Sequence, residues 1–560
     1  MAIPDRKVLP RRIASQSTEV FYADPHHFAK NPDFCLLPDG RILCVFLEAD
    51  QHIPFHYSRI ILLQSADGGH TWGDRRIIAD GSPVDFWGSA ETVEREPWIT
   101  PRISRLRDGR LVINCDKDDM AHAHESQKPG ICAWWSTDDG ETWSGPYQTG
   151  VPGIEPDQVV QLDDDTLLMG SHFGVARTLK IGQFVSRSMD GGRTWPELVS
   201  IASDDVHNFC EGAIVQLASG RLVCVMRENN HNNYPCYFSF SDDRGKSWSK
   251  PIEAPFSGDR PYCGILSDGR FFVTYRDMAG RPASCAWVGD IEKDHGYQVS
   301  IAGGNRGRLA PVFAGPIGEH YPNAPAREVS RNQHLVELGP DALRLQCAYE
   351  TPIRYELLPP DYQRTHVVFE AEMRLDGGDD APRFRLQVAR VGIVLTAAPT
   401  WLHISPNQAG HPWVVRKAVD LRAWRTLRVQ SEAGLVRVFV DGEEIARVAN
   451  HREQPWDRSY FGSVGAFTGG VSLRKVLYQT LDETREHQWR WNAADGTYLN
   501  QYEIDHWIEL AENTEGFPDN GYTTWVELAN GDVVVAETTN KGVPLQKSQL
   551  HAYSFNIRDL

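Results

Sequence analysis

One short motif recurs four times in the first half of this 560-residue chain, and it constrains the fold more than any other feature. The copies are Ser65-Ala-Asp-Gly-Gly-His-Thr-Trp72, Ser136-Thr-Asp-Asp-Gly-Glu-Thr-Trp143, Ser188-Met-Asp-Gly-Gly-Arg-Thr-Trp195 and Ser241-Asp-Asp-Arg-Gly-Lys-Ser-Trp248. Their starts lie 71, 52 and 53 residues apart (65 to 136, 136 to 188, 188 to 241). Each reads as a hairpin turn. Glycine supplies a positive φ, the aspartate accepts backbone N–H bonds across the turn, and the tryptophan packs on the sheet.

A second unit, strand–turn–strand, precedes each motif. It runs through Pro38-Asp-Gly40, Arg107-Asp-Gly109, Asp163-Asp-Asp165 and Ala218-Ser-Gly220, and again through Ser267-Asp-Gly269 and Ala529-Asn-Gly531. Asp-Gly or Asn-Gly between apolar runs is a strong hairpin signal. Six units at a period near 50 residues predict an all-β fold, a six-bladed β-propeller of four-stranded blades. The last unit ends in a third strand, Gln549–Asn556, so the N-terminal stretch near Lys7–Ser15 is expected to supply the fourth and close the ring. Units five and six are separated by a gap too long for a blade connection. Within it, 366–374, 384–389, 426–430 and 436–444 alternate apolar with polar residues. The expected organisation is blades one to five over 1–327, an inserted jelly-roll β-sandwich over 328–480 between blades five and six, and a return segment with blade six over 481–560. The return carries Trp489, Trp491 and Trp507 and is expected to include a short helix.

Composition narrows the function. With 17 Trp and a net charge of −18, the chain lacks the basic stripe of a nucleic-acid binder. It has no run of apolar residues long enough to span a membrane and no signal-peptide core at Met1-Ala-Ile-Pro-Asp-Arg-Lys7, so a cytoplasmic protein without membrane insertion is expected. The cysteines are scattered and read as buried free thiols. No His/Cys/Asp cluster has metal spacing, and no Gly-rich phosphate loop follows a strand. No metal or cofactor is expected. The expected partner is a carbohydrate, an acidic glycan or oligosaccharide, and a homo-oligomer is compatible with the sequence.

The Trp-ending motifs resemble the Asp-boxes of the sialidase superfamily, over about 1–290 and 517–560. The resemblance implies that the Asp-boxes are scaffold and that chemistry sits where the blades converge. Glu211 and Arg227, 16 residues apart, resemble the Glu and carboxylate-binding Arg of that superfamily. Gly521-Tyr522 resembles the run bearing the sialidase nucleophile. The resemblance therefore implies Tyr522 as nucleophile, Glu211 as its base, and Arg227, Arg276 and Arg281 as clamps for a substrate carboxylate. Arg260 joins them at the entry of blade five, unless it merely pairs with Asp259. Lys30, in Ala29-Lys-Asn-Pro32, stands where relatives carry an Arg, and Asp50 stands near the expected acid/base. Blades two and three add Arg102, Asp116, Lys117, Glu155, Asp157 and His172, with the run Asp116–Asp119 reading as a solvated face. Arg102 is the substitute for the missing arginine if the sugar is shifted. His26 and His27 are imidazoles that a sialidase does not need.

Three functions stay open at this point. The first is an exo-acting, retaining glycoside hydrolase releasing a sialic or related nonulosonic acid. The second is a propeller lyase, or a glycosidase for a uronic acid or other sugar, in which His26, His27 and His172 would matter. The third is a glycan-binding propeller without catalysis.

Overall fold

A computed structural model describes residues 11–12, 19–50, 57–81, 97–117, 130–229, 235–277, 283–294, 301–302, 335–347, 353–357, 366–376, 382–387, 393–406, 415–432, 434–449, 462–481, 486–513, 519–542 and 547–560. The chain is a six-bladed β-propeller carrying a large, nearly closed additional sheet. The innermost strands of blades one to six are Phe28–Leu36, Arg102–Arg105, Val160–Gln161, Phe209–Gln216, Asp259–Ile265 and Asn520–Glu527.

Strand alternation welds the blades together. In Ile42–Ala49, Ile42, Cys44 and Phe46 pack toward Val534 and Ala536 of blade six, whereas Leu43, Val45 and Leu47 pack toward Ile103 and Ile113 of blade two. Both faces of each sheet are therefore buried, and the strands read as continuous apolar runs rather than clean alternation.

The Asp-boxes close the third hairpin position of blades one to four. In the first copy Asp67 Oδ1 accepts the Thr71 amide at 2.8 Å and Oδ2 the Thr71 hydroxyl at 2.6 Å, while Trp72 Nε1 donates to Gly69 O at 3.0 Å. Asp138, Asp190 and Asp243 repeat the arrangement with Thr142, Thr194 and Ser247. Hydrogen bonds from the threonine hydroxyl and amide hold the carboxyls of Asp67, Asp138 and Asp190 down at about 2.

Two expectations about chain routing are corrected. The strand that completes blade six is Glu19–Tyr22, paired with Gln549–Asn556, rather than a segment at 7–15. Within Glu19–Tyr22, Phe21 stacks on Trp72 at 4.7 Å and Tyr22 packs on Phe46 at 4.6 Å. Arg11–Arg12 instead runs parallel to Trp507–Glu512 at the outer edge of blade five.

The insertion also enters one strand earlier than the junction of blades five and six. Ala283–Gly289 is the third strand of blade five, and its fourth, Trp507–Glu512, comes after the insertion. Trp507 is drawn into the core shared with blade four, while Ile508 and Leu510 face blade six. The short helix expected in the return segment is Gln501–His506, pinned to blade five where Trp287 Nε1 and Tyr502 Oη meet at 3.1 Å.

The inserted unit is organised by one long strand, Gly462–Leu481. Its first half pairs with Ile353–Leu357 and Arg383–Gln387, and its second half with Leu343–Cys347, His366–Asp376 and Glu486–Asn492. The halves meet at Gly469, whose φ of +67° lets the strand turn from one sheet to the other. Phe384, Leu386, Leu395, Leu402, Phe369, Met373, Leu427 and Tyr478 fill the single core between them.

Candidate active site

Left-handed residues gather where the blades converge. Asn31, Glu155, Glu211, Arg260 and Tyr522 have φ of +53°, +48°, +49°, +52° and +49°. Four of them sit in β-bulges of the innermost strands of blades one, four, five and six. Glu155 occupies the corresponding place just ahead of the innermost strand of blade three. Holding a non-glycine residue there costs about 1–2 kcal/mol, so something must hold it.

For Asn31, Glu155, Glu211 and Arg260 it is the preceding blade. The bulge removes the residue's amide from its own ladder, and that amide donates backward around the ring. Glu155 N donates to Asp116 Oδ2 of blade two at 2.9 Å, and Glu211 N to His172 Nδ1 of blade three at 3.2 Å. Arg260 N donates to Glu211 Oε2 of blade four at 2.9 Å, and Asn31 N to Thr538 Oγ1 of blade six at 3.2 Å. A second tier lies one layer down the channel. There Phe34 N donates to Thr524 Oγ1, Ile103 N to Asp33 Oδ2, Val159 N to Ser104 Oγ and Ile214 N to Asp157 Oδ2, at 2.6–3.0 Å.

Above these tiers guanidinium and carboxylate groups alternate. Arg227 Nη1 donates to Glu211 Oε1 at 2.8 Å, and its Nε lies 2.9 Å from Asp259 Oδ1. Arg276 Nη2 donates to Asp259 Oδ2 at 3.1 Å, and Arg260 Nη1 to Glu155 Oε2 at 2.6 Å. The Tyr522 ring lies 5.1 Å from the Arg276 guanidinium and 5.8 Å from that of Arg260. Burial raises the Tyr522 phenol above its ordinary value; Glu211 and Glu155 add to this, and Arg276 and Arg260 oppose it. The group is therefore a neutral phenol at physiological pH, and its hydroxyl makes no hydrogen bond to Glu211 among the described residues.

Tyr522, Glu211, Arg227, Arg276 and Arg260 are thus brought together. Lys30 joins their rim. Its Nζ lies 3.5 Å from Asp519 Oδ2, and burial, partly offset by Asp519, pulls its pKa down to about 8.

The other sequence candidates lie elsewhere. Arg102 sits in the lower tier, its Nη1 3.5 Å from buried Asp33 and its guanidinium 5.8 Å from the Tyr262 ring. Gln158 Nε2 reaches both Asp33 and Tyr262 at 3.0 Å, and these groups plug the channel. Buried His172 accepts the Glu211 amide and so positions that residue rather than facing the mouth. His26 and His27 turn over Asp24, whose Oδ1 accepts both amides at 2.7 and 2.9 Å. His27 Nδ1, Asp24 and Glu48 lie close enough to share a cation. Glu48, however, already receives Arg75 at 2.8 Å, Arg59 at 3.5 Å and the Tyr22 hydroxyl at 2.5 Å, and those guanidinium charges oppose a metal there. Asp50 Oδ1 accepts the Tyr57 amide at 3.1 Å, across the loop after blade one's second strand. Arg281 lies outside the described residues.

Two residues carry more than their sequence context indicated. Asp116 is fully buried, not on a solvated face. Its oxygens take the Thr100 and Glu155 amides, and burial pushes it up to about 7. Asp259 bridges Arg227 and Arg276, whereas Arg260 pairs with Glu155. The signal available in the sequence was position: Asp116 ends the second strand of its blade, and Asp259 sits one residue before a bulge.

Known proteins agree with this architecture. The family model described as BNR repeat-like domain matches residues 58–283. Over those residues the chain is similar to BNR-repeat proteins, and its propeller resembles that of the sialidase superfamily. A sialidase of Micromonospora viridifaciens is 26% identical over 264 residues, covering 42% of this chain and 38% of that protein, so the chain spans under two fifths of that curated relative. Among solved structures, Trypanosoma rangeli sialidase bound to the inhibitor DANA is 11% identical, with 89% of this chain and 98% of that one covered at a TM-score of 0.39. Penicillium chrysogenum alpha-L-arabinanase with arabinobiose is 15% identical, covering 52% and 92% at a TM-score of 0.37. In this propeller the Asp-boxes close the third hairpins of blades one to four, while the bulge residues meet where the innermost strands begin.

Proposed function

We propose that the chain is an exo-acting, retaining glycoside hydrolase of sialidase type that releases a terminal acidic sugar, a sialic or related nonulosonic acid. Glycoside hydrolase activity in general is what the sialidase-like propeller family supports, and carbohydrate is the ligand class its relatives suggest. The observation that carries the finer reading is the meeting of Tyr522 and Glu211, both on left-handed bulges, among Arg227, Arg260 and Arg276.

The chemistry follows from those groups. A sugar with a carboxylate on its anomeric carbon repels an anionic nucleophile, and a neutral phenol avoids that repulsion; sialidases are the known Tyr-nucleophile exception to the two-carboxylate scheme. A phenol raised by burial attacks only if a base removes its proton as the bond forms. Glu211 is the carboxylate for that role. Guanidinium groups grip the substrate carboxylate. The plug of Asp33, Arg102, Gln158 and Tyr262 below the mouth favours a pocket that admits a chain end, hence exo action.

A second reading is favoured by one observation: Arg227, Arg260 and Arg276 each already face a carboxylate, so the mouth is close to electrical balance without a substrate anion. That suits a neutral sugar read through its hydroxyls. Chromogenic sialosides, uronides and neutral glycosides, offered to wild type and Tyr522→Phe, test both readings. Sialoside cleavage that survives unchanged in Tyr522→Phe defeats the mechanism, and cleavage of neutral glycosides alone selects the second reading.

A further inference from the structure

We propose that Glu155, rather than Asp50, is the group that protonates the departing aglycone and later activates water, a role that rests on the retaining-glycosidase reading above. Five carboxylates lie at the mouth near the bulges, and one of them, Asp519, faces Lys30 on the rim. Both oxygens of Asp116 hold amides, both of Glu211 hold Arg227 and the Arg260 amide, and both of Asp259 hold arginines. Glu155 commits only Oε2, to Arg260; Oε1 has no hydrogen-bond or ionic partner among the described residues, and the side chain is 19% exposed. Of the four other than Asp519, it is the one with an uncommitted oxygen among the described residues.

Its placement suits the task. Blade three stands opposite blade six in a six-membered ring, so Glu155 and Tyr522 approach a bound sugar from opposite sides. The backbone is fixed by the left-handed conformation and by the bond from its amide to Asp116, and Arg260 holds the carboxylate while lying over the Tyr522 ring. Asp50 instead takes the Tyr57 amide on a blade-one loop.

The step balances. Tyr522 Oη bonds to the anomeric carbon and its proton passes to Glu211. The bond from the anomeric carbon to the aglycone oxygen breaks, and the Glu155 carboxyl proton goes to that oxygen. In the second half, water adds to the anomeric carbon and gives a proton to Glu155. The bond to Tyr522 breaks, and the phenol recovers its proton from Glu211.

The test compares Glu155→Gln with wild type on two glycosides of the sugar the wild type accepts. One carries an alkyl aglycone, the other 2,4-dinitrophenol, which leaves without a proton. The alkyl glycoside should lose roughly 10²–10⁴-fold in kcat/KM, the scale of one general acid, and the dinitrophenyl glycoside far less. Added azide should raise turnover of the dinitrophenyl substrate and give the glycosyl azide. Equal loss on both substrates without azide rescue overturns the assignment and leaves Glu155 as a positioning residue for Arg260. The same leaving-group pattern in Asp50→Asn, with none in Glu155→Gln, also overturns it. Glu155→Asp, which keeps the charge and shortens the reach, is the second variant if Glu155→Gln does not fold, and it should show the same split in milder form. Wild type inactive on every glycoside defeats the glycosidase reading itself. Active wild type, with Tyr522→Phe inactive and Glu155→Gln uniformly impaired, defeats only the present inference.

Discussion

Gly521→Ala is the sharpest probe of how rigidly the mouth is built. Gly521 precedes Tyr522 in the bulge with a φ of +98°, and a Cβ there would lie 2.5 Å from Cβ and 2.8 Å from Cγ and Cδ of Arg276. Gly269 is the internal control: its φ is +90°, with nothing within 4 Å of its added Cβ. The left-handed penalty of about 1–2 kcal/mol applies to both, offset by about 0.4–1 kcal/mol from the stiffer unfolded chain. Gly269→Ala should therefore cost about 1 kcal/mol. Gly521→Ala adds overpacking of about 1–3 kcal/mol, because the stem of buried Arg276 must move. That movement pulls the guanidinium off Asp259 and away from the Tyr522 ring. A displacement near 1 Å is enough to cost roughly 10²-fold in rate. Chemical denaturation and kcat/KM on the accepted glycoside check both quantities. If Gly521→Ala is no less stable than Gly269→Ala, or keeps full activity, the packing of Arg276 does not set the geometry of Tyr522.

Other expectations follow from the same groups. Lys30 loses its proton near pH 8, because burial disfavours the ammonium; KM for an acidic glycoside should rise as pH passes that value in wild type and stay flat in Lys30→Arg, and identical profiles would remove Lys30 from the clamp. Asp116 is raised by burial to about 7, so its contribution to stability is complete below the ordinary carboxylate range and lost as pH rises through 7. The melting-temperature advantage of wild type over Asp116→Asn should accordingly be larger at pH 5 than at pH 8, and a constant gap would refute that linkage. Asp190→Ala removes the four bonds that Asp190 accepts in its hairpin from the Thr194 and Arg193 amides and the Thr194 and Ser188 hydroxyls; it should lower Tm and leave kcat/KM unchanged, and an activity loss without a Tm change would mean the Asp-box is not mere scaffold.

What the sequence disclosed depended on whether local chemistry or tertiary context decides. Asp-Gly turns and Asp-boxes are local, because their residues bond to their own hairpin, so the blades were legible. The closing strand was not, since pairing of Glu19–Tyr22 with Gln549–Asn556 is decided by Phe21 and Tyr22 finding Trp72 and Phe46 far along the chain. Trp507 read as part of a return segment because an insertion separates it from the three strands it completes. The motif singles out Glu211 and Tyr522 as candidates, but no glycine at either position announces its left-handed backbone. Asp116 was misjudged because a charged run looks solvated, and only the neighbouring bulge shows that its carboxyl is filled by two amides.

The bulges and the ring explain one another. An innermost strand pairs on one side only, so amides on its free side already reach the neighbouring blade, as Ile103 N does to Asp33. The left-handed residues add a further tier of such donations, each to the preceding blade: five to four, four to three, three to two, and one back to six. The strained side chains therefore cannot be placed until their neighbours are. Glu211 holds Arg260 through Oε2 while its own amide rests on His172, so the carboxylate proposed as the base is also a structural acceptor. Its substitution should disturb Arg260 as well as proton transfer. The local strain of about 1–3 kcal/mol per left-handed residue is sustained only in a closed ring, and closure depends on Glu19–Tyr22 completing blade six. The precision of the site is thus a property of the whole circle rather than of any blade, and weakening the outermost strand of blade six should loosen Tyr522, which lies on the innermost strand of that same sheet.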